Sequence, residues 1–164
     1  MDIKIGIPRA LLYYNHYPAW KAFFNELGGQ VILSQKTNKK IIDEGVMNTV
    51  DEACLPVKVF FGHILDLKKK NVDYIFVPRV VSLERNRFLC PKFLGLPDFV
   101  KASMEDIPPI IDMDIDLYRG YGRKMRNEIK RVGRIFTDDT RKIKRAEQAA
   151  KDALKTYTEF LKDG

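Results

Sequence analysis

The sequence predicts an α/β fold: a parallel-sheet, Rossmann-like three-layer domain with long charged helices at its C-terminal end. Three observations carry this. Short apolar runs with strand character alternate with segments of helical periodicity through the first hundred or so residues. A strand–helix–strand–helix–strand order requires right-handed crossovers, which place helices on both faces of a parallel sheet. From Tyr118 onward the pattern changes to long stretches rich in Lys, Arg, Asp and Glu, with only a narrow apolar stripe.

The elements follow in chain order. Ile3-Lys4-Ile5-Gly6-Ile7 alternates and stops at Pro8, which marks a buried first strand. From Tyr17 to Leu27, Trp20, Phe23, Phe24 and Leu27 recur at helical spacing, and Gly28-Gly29 supplies the stop. Val31-Ile32-Leu33 reads as a second strand, and Asn38 as the cap of a helix carrying Ile41, Ile42 and Val46. Pro56 suits the first turn of a third helix, where its missing N–H is not needed. That helix extends to about Lys70, with Val59, Phe60, Ile64 and Leu67 as its inner stripe. Asp73 to Pro78 reads as the third strand, Ser82 to Pro97 as a loop, and Pro109 to Met113 as a fourth strand. One charged helix then runs through Phe136 and another from about Asp139 to Leu161, with Ala146, Ala149, Ala150, Ala153 and Leu154 as a small-residue seam.

The chain has 164 residues, 45% of them apolar, which suits one folded core rather than a disordered chain. No apolar run is long enough to span a bilayer. Met1 to Lys4 lacks the basic and apolar regions of a signal peptide, so the expected location is cytoplasmic. The net charge of +7 comes mostly from basic runs near the C-terminus, such as Arg141-Lys142-Ile143-Lys144-Arg145. On helices such runs are solvated faces, so nucleic acid is not the expected partner. The units expected are residues 1–116, an α/β domain holding both cysteines, and residues 117–164, the C-terminal helices.

The cysteines are the residues with chemistry to offer. Cys54, in Glu52-Ala53-Cys54-Leu55-Pro56-Val57-Lys58, lies just ahead of a helix. The unpaired N–H groups and dipole of a helix N-terminus favour a thiolate there, and could also bond the sulfurs of a bound cluster. The alternative is a buried cysteine serving as a small hydrophobe. Cys90-Pro91 lies in the loop after the third strand, and in open parallel sheets ligands collect beyond the carboxyl ends of strands. Both thiols are thus expected on one edge of the sheet. His16 and Arg9 belong to the loop after the first strand, also a ligand edge, where Arg9 could meet an anion. His63 reads as a half-buried polar residue of its helix. The cysteine spacing matches no Cys-x-x-Cys zinc motif, and no dinucleotide, phosphate-loop or hydrolase signature occurs.

Three stretches carry a family resemblance: Lys4-Ile5-Gly6-Ile7-Pro8-Arg9-Ala10-Leu11, the run from Glu52 to Gly62-His63, and Cys90-Pro91 followed by Gly95-Leu96-Pro97. They resemble the acyl-CoA dehydratase activase-related proteins, relatives of the iron–sulfur components of 2-hydroxyglutaryl-CoA dehydratase and benzoyl-CoA reductase. The likeness covers the first hundred or so residues well and the remainder loosely. It implies that Cys54 and Cys90 are ligands of an iron–sulfur cluster, 4Fe-4S in type. It also implies a partner ATPase of the sugar kinase/Hsp70/actin superfamily, which delivers the electron. Such clusters usually take four cysteines and this chain has two. The remaining ligands are expected from a second α/β half, a second copy or a partner, and the isolated chain is expected to lack the cluster. The other reading is a non-catalytic domain that docks the ATPase and uses its cysteines structurally.

Overall fold

The computed structural model describes residues 2–164; Met1, part of the stretch read above for a leader, lies outside them. In chain order the elements are β1 (Lys4–Ile7), α1 (Tyr13–Glu26), β2 (Gln30–Leu33), α2 (Lys39–Met47), α3 (Leu55–Lys68), β3 (Tyr74–Phe76), β4 (Arg79–Ser82), α4 (Pro91–Ser103), β5 (Ile110–Ile111), β6 (Asp114–Asp116), α5 (Arg123–Gly133) and α6 (Thr140–Asp163). No helix among the described residues is long and apolar enough to cross a membrane.

The main sheet is parallel and has the order β2-β1-β3-β5. Its side chains alternate between two apolar clusters, as a pleat with both faces covered requires. Ile5, Ile7, Phe76 and Ile111 face a cluster shared with α1, α5 and α6. Ile75 and Val77 face a second cluster, shared with α3 and α4. Gly6 sits on that second face because a Cβ there would press on Leu67 and Val72. The three-layer arrangement read from the sequence is therefore the one observed.

A second parallel pair, β4 with β6, continues the β3–β5 pairing. The ladder carries over through Val77 N–H to the Ile111 carbonyl and Arg79 N–H to the Met113 carbonyl. Pro78 lies between the two pairs and has no N–H to give, which is why one long pairing is divided. The sequence reading had a single strand ending at Pro78 and a loop from Ser82 to Pro97. Much of that loop is helix α4, tied to β4 by the two-pronged Arg79–Asp98 ion pair.

Helix α1 begins at Tyr13, four residues before the expected Tyr17, and contains Pro18. A proline in a helix leaves the carbonyl four residues earlier without its donor. Here that carbonyl belongs to Tyr14, and it accepts the Tyr157 hydroxyl of α6 at 2.8 Å. The helix break is thereby used to hold α6 against α1. Met125, Ile129, Val132, Ile143 and Ala146 of α5 and α6 are buried in the same cluster as β1 and α1.

Candidate functional site

Cys54 is the N-cap residue of α3 and Cys90 that of α4. Both helices lead back to strands of a parallel sheet, so both begin at the carboxyl edge of the strands. The Pro8–Leu12 segment after β1 reaches the same edge, beside the point where the strand order reverses between β2 and β3. Cys54, Cys90, Leu11, Pro56, Lys92 and Phe93 line one cavity of about 160 Å³ there. Both thiols are exposed. Exposure removes the alternative that they are core hydrophobes.

Local chemistry explains why the cysteines sit where they do. Proline occupies the first turn of each helix, Pro56 in α3 and Pro91 in α4, and pre-sets the helical φ. Neither cysteine side chain bonds its own helix end. The first-turn N–H groups of Leu55, Val57 and Lys92 therefore have no side-chain cap, and the positive ends of two helices meet at the cavity. Lys92 also lines this largely apolar cavity. Leu11 has φ of +56°, a left-handed conformation that is uncommon for a leucine. Strain of this kind collects where surrounding structure holds the chain for a purpose other than packing.

The position of α3 is fixed by two devices. Its Gly62 packs against α2 so closely that a Cβ would land on the Ile41 carbonyl, and Gly45 of α2 is equally tight against the Lys58 carbonyl. His63, fully buried, sits between two hydroxyls: Nδ1 is 2.7 Å from Ser34 Oγ and Nε2 is 2.9 Å from Thr37 Oγ1. Ser34 Oγ also accepts the Arg9 N–H at 2.8 Å. Burial, with a smaller push from the Arg9 charge, lowers the His63 pKa to about 4 against a partial rise from Asp66, so the ring is neutral at physiological pH. His63 is thus deeper than the half-buried position expected of it, and it pins α3 to the loops after β1 and β2.

The other two predicted site residues lie elsewhere. His16 is in the first turn of α1 rather than in the preceding loop, because α1 starts early, and it lines a separate cavity on the other face of the sheet. Arg9 is in the expected loop but does not line the cysteine cavity. Its charge partly offsets the rise that burial gives Tyr13 and Tyr17. Sequence reading passed over Leu11, Lys92 and Phe93. Lys92 follows Cys90-Pro91 directly, but its place on a first turn was hidden while the segment read as a loop.

The donor set can be tested against the expected cluster. Thiolates are the right kind of ligand for an iron–sulfur cluster, and the uncapped N–H groups suit its negative charge. The number is short: among the described residues no group of three or more His, Cys, Asp or Glu side chains could hold a metal ion. The residues therefore fit as part of a cluster site and not as a whole one. Apolar side chains near the cysteines in sequence stand open to solvent, Leu55 at 59% exposure and Phe88 at 67%.

A family model described as a CoA enzyme activase uncharacterised domain matches residues 4–164. No curated protein and no solved structure matches the chain.

Proposed function

The chain belongs to the CoA enzyme activase uncharacterised domain family, and on that premise we propose that it supplies half of an iron–sulfur site, with Cys54 and Cys90 as its two ligands. The system it serves is a CoA-ester dehydratase or reductase, energised by an ATPase of the sugar kinase/Hsp70/actin superfamily. The observation that supports this is the meeting of two exposed N-cap cysteines, distant in sequence, on one cavity. A bound cluster would supply one-electron transfer there.

The chain's own residues have defined tasks in this reading. Cys54 and Cys90 ligate as thiolates. The uncapped N–H groups of Leu55, Val57 and Lys92 offset negative charge at the two helix starts. The glycine crossing and His63 hold α3, and therefore Cys54, in place. The exposed Leu55 and Phe88 mark the ground that another polypeptide would cover while contributing the missing ligands.

Anaerobic reconstitution with ferrous iron and sulfide tests the proposal, alone and with a second half, a second copy or the ATPase present. Iron uptake and a brown chromophore are expected only when further ligands are supplied, and both should fall sharply in Cys54→Ala and in Cys90→Ala. The second reading is favoured by the exposed apolar side chains: the domain docks the ATPase without a cluster. It replaces the first if no combination takes up iron while both alanine variants bind the ATPase as tightly as wild type.

A further inference from the structure

A cavity of about 600 Å³ lies beyond the carboxyl ends of β4 and β6, lined by neither cysteine. That volume is in the range of small-molecule sites, and the carboxyl edge of parallel strands is where ligands collect. Phe88, Asp116, Tyr118, Arg119, Arg123 and Lys124 are on its wall. The wall mixes polar and apolar surface, where that of the cysteine cavity is largely apolar.

Two loops bring these residues together. One follows β4 and carries Arg85 and Phe88; the other follows β6 and carries Tyr118 to Gly122. The Asn86 N–H donates to the Tyr118 carbonyl at 3.1 Å, and the Leu117 N–H to the Ser82 carbonyl at 3.0 Å. The Phe88 and Tyr118 rings stack, with centroids 4.3 Å apart and planes at 8°. Gly120 has φ of +86°, and a Cβ there would come within 2.7 Å of Arg85 Nε. The bare glycine is what lets the Arg85 guanidinium close on the turn.

The charges around this cavity are unbalanced. Three cations on the wall face one carboxylate, and that carboxylate is already engaged. Lys124 Nζ lies 3.0 Å from Asp116 Oδ2, and this bond holds the Asp116 pKa below its ordinary value. Among the described residues Arg85, Arg119 and Arg123 form no ion pair and no side-chain hydrogen bond. Arg123 and Lys124 also open α5, where the positive end of the dipole disfavours cations. Helices α2 and α6 likewise open on cations, Lys39 and Arg141, but Asn38 and Asp139 cap them. Helix α5 opens on Gly122, which has no side chain to cap with. All these departures have the same sign, and one anion in the cavity would correct them together. Local departures from stable design gather at functional sites.

We propose that this cavity binds a small phosphate ester that carries a planar ring. The dianionic phosphoryl group sits between Arg119, Arg123 and the uncapped first-turn N–H groups of α5, where guanidinium and backbone donors suit its oxygens. The ring packs beside the Phe88–Tyr118 stack. The site uses neither thiol and no iron, so it stands or falls apart from the proposed function.

Isothermal titration of the full, iron-free chain with phenyl phosphate and with inorganic phosphate is the test. Both should bind saturably, phenyl phosphate about fivefold tighter, the scale of one aromatic contact. Phe88→Ala should bring the two affinities together. Arg119→Gln and Arg123→Gln should each weaken both probes about tenfold, the scale of a hydrogen bond to a charged group. Arg134→Gln, the same charge change at the far end of α5, should leave both affinities as they are. Gly122→Asp puts its side chain into open space and a carboxylate on the same N–H groups. It should abolish binding while the chain unfolds no earlier than wild type. Absence of saturable binding to wild type overturns the site. Equal weakening by Arg134→Gln and Arg123→Gln overturns it too, since the attraction is then to net charge. Equal affinity of wild type for the two probes overturns the ring contact, and unaltered binding in Gly122→Asp overturns the part given to α5. A single-stranded oligonucleotide that competes with phenyl phosphate and binds tighter assigns the surface to nucleic acid and overturns the small-molecule reading.

Discussion

The helices begin in two different ways. Helix α2 starts on Asn38, whose side chain accepts the Ile41 N–H at 3.0 Å, and α6 starts on Asp139, whose carboxylate accepts the Arg141 N–H at 2.9 Å. Helices α3 and α4 start on Cys54 and Cys90, neither of which makes a side-chain cap bond; α1 and α5 also lack one, but they start on Leu12 and Gly122 and have no proline in the first turn. The first pair satisfies its own end and faces solvent. The second pair leaves its first-turn donors uncapped, relies on proline to set the backbone, and brings both ends to one cavity. A good cap stabilises a helix by about 1 kcal/mol, so two adjacent helices that forgo it give up stability at the place where the only cysteines lie. What sets the second pair apart is therefore the exposed thiol at each start and the shared cavity, with the absent cap a companion to them.

The largest effect should come from removing a thiol. Cys54→Ala or Cys90→Ala should lose most of the iron taken up in partner-assisted anaerobic reconstitution, measured as iron per chain. Because both side chains are exposed, chemical unfolding of the iron-free variants should stay within about 0.5 kcal/mol of wild type. Asn38→Ala should show the reverse pattern: lower stability with iron uptake retained. If the two patterns were interchanged, the distinction between the helix pairs would collapse.

The next effect tests how α3 is held. Gly62→Ala places a methyl group on the Ile41 carbonyl, which is backbone and cannot turn aside. Overpacking of this kind costs about 1–3 kcal/mol, and a backbone clash belongs at or above the upper end. Urea denaturation should show that loss for Gly62→Ala and a similar one for Gly45→Ala. Gly95, which has open space where its Cβ would be, should accept alanine without such a loss.

How much of this could be read from sequence follows from what each segment depends on. Strands β1 and β3 and helix α3 announce themselves because their apolar periodicity is set by burial on a sheet or against one. The cap of α2 at Asn38 and the proline start of α3 were equally legible, since those signals act through the nearest few residues. Helix α4 was not, because Gly95 and Pro97 argue against a helix locally, while burial of Leu96 and Val100 and the Arg79–Asp98 pair favour it through distant contacts. The β4–β6 pair escaped for the same reason: Asp114-Ile115-Asp116 has little strand character of its own and is held by its neighbour. The early start of α1 moved His16 from a loop into a helix and onto the other cavity. The cysteines were picked out by their places ahead of a helix and after a strand, but that both cap helices on a shared cavity is a property of the fold.

Acid should act on the cysteine-bearing region through His63. Its folded pKa of about 4 lies below the ordinary 6.5, so the unfolded chain takes up the proton first as pH falls. The associated stability is complete above about pH 6.5, declines between about 6.5 and 4, and levels off below that. The full loss is about 3 kcal/mol in order of magnitude, from 1.36 kcal/mol per pKa unit. Unfolding free energies of wild type and His63→Gln, compared across this range, should converge as pH falls. Parallel curves would show that the His63 ring does not titrate with folding.

The smallest expected effect bears most directly on why two kinds of helix start exist. Serine resembles cysteine in size but is a strong N-cap, because its hydroxyl accepts a backbone N–H from the second or third helical residue. In α3 the candidate donor is Val57, since Pro56 has none, and in α4 it is Lys92 or Phe93. If the cysteine helices lack only a good acceptor, Cys54→Ser and Cys90→Ser should each raise the stability of the iron-free chain by about 0.5–1 kcal/mol over the matching alanine variant. Both substitutions should still cost iron uptake, since a hydroxyl is a poor substitute for a thiolate ligand. Asp139→Ala, in contrast, should lower stability by about 1 kcal/mol and leave iron uptake alone. Thermal unfolding at fixed pH, with iron uptake measured on the same preparations, separates the outcomes. If serine gives no gain over alanine at either position, the first-turn donors are already satisfied, and the uncapped ends cease to be evidence for a ligand at the cavity. A gain in stability together with a loss of iron would mean that these two positions exchange helix stability for a pair of exposed thiols.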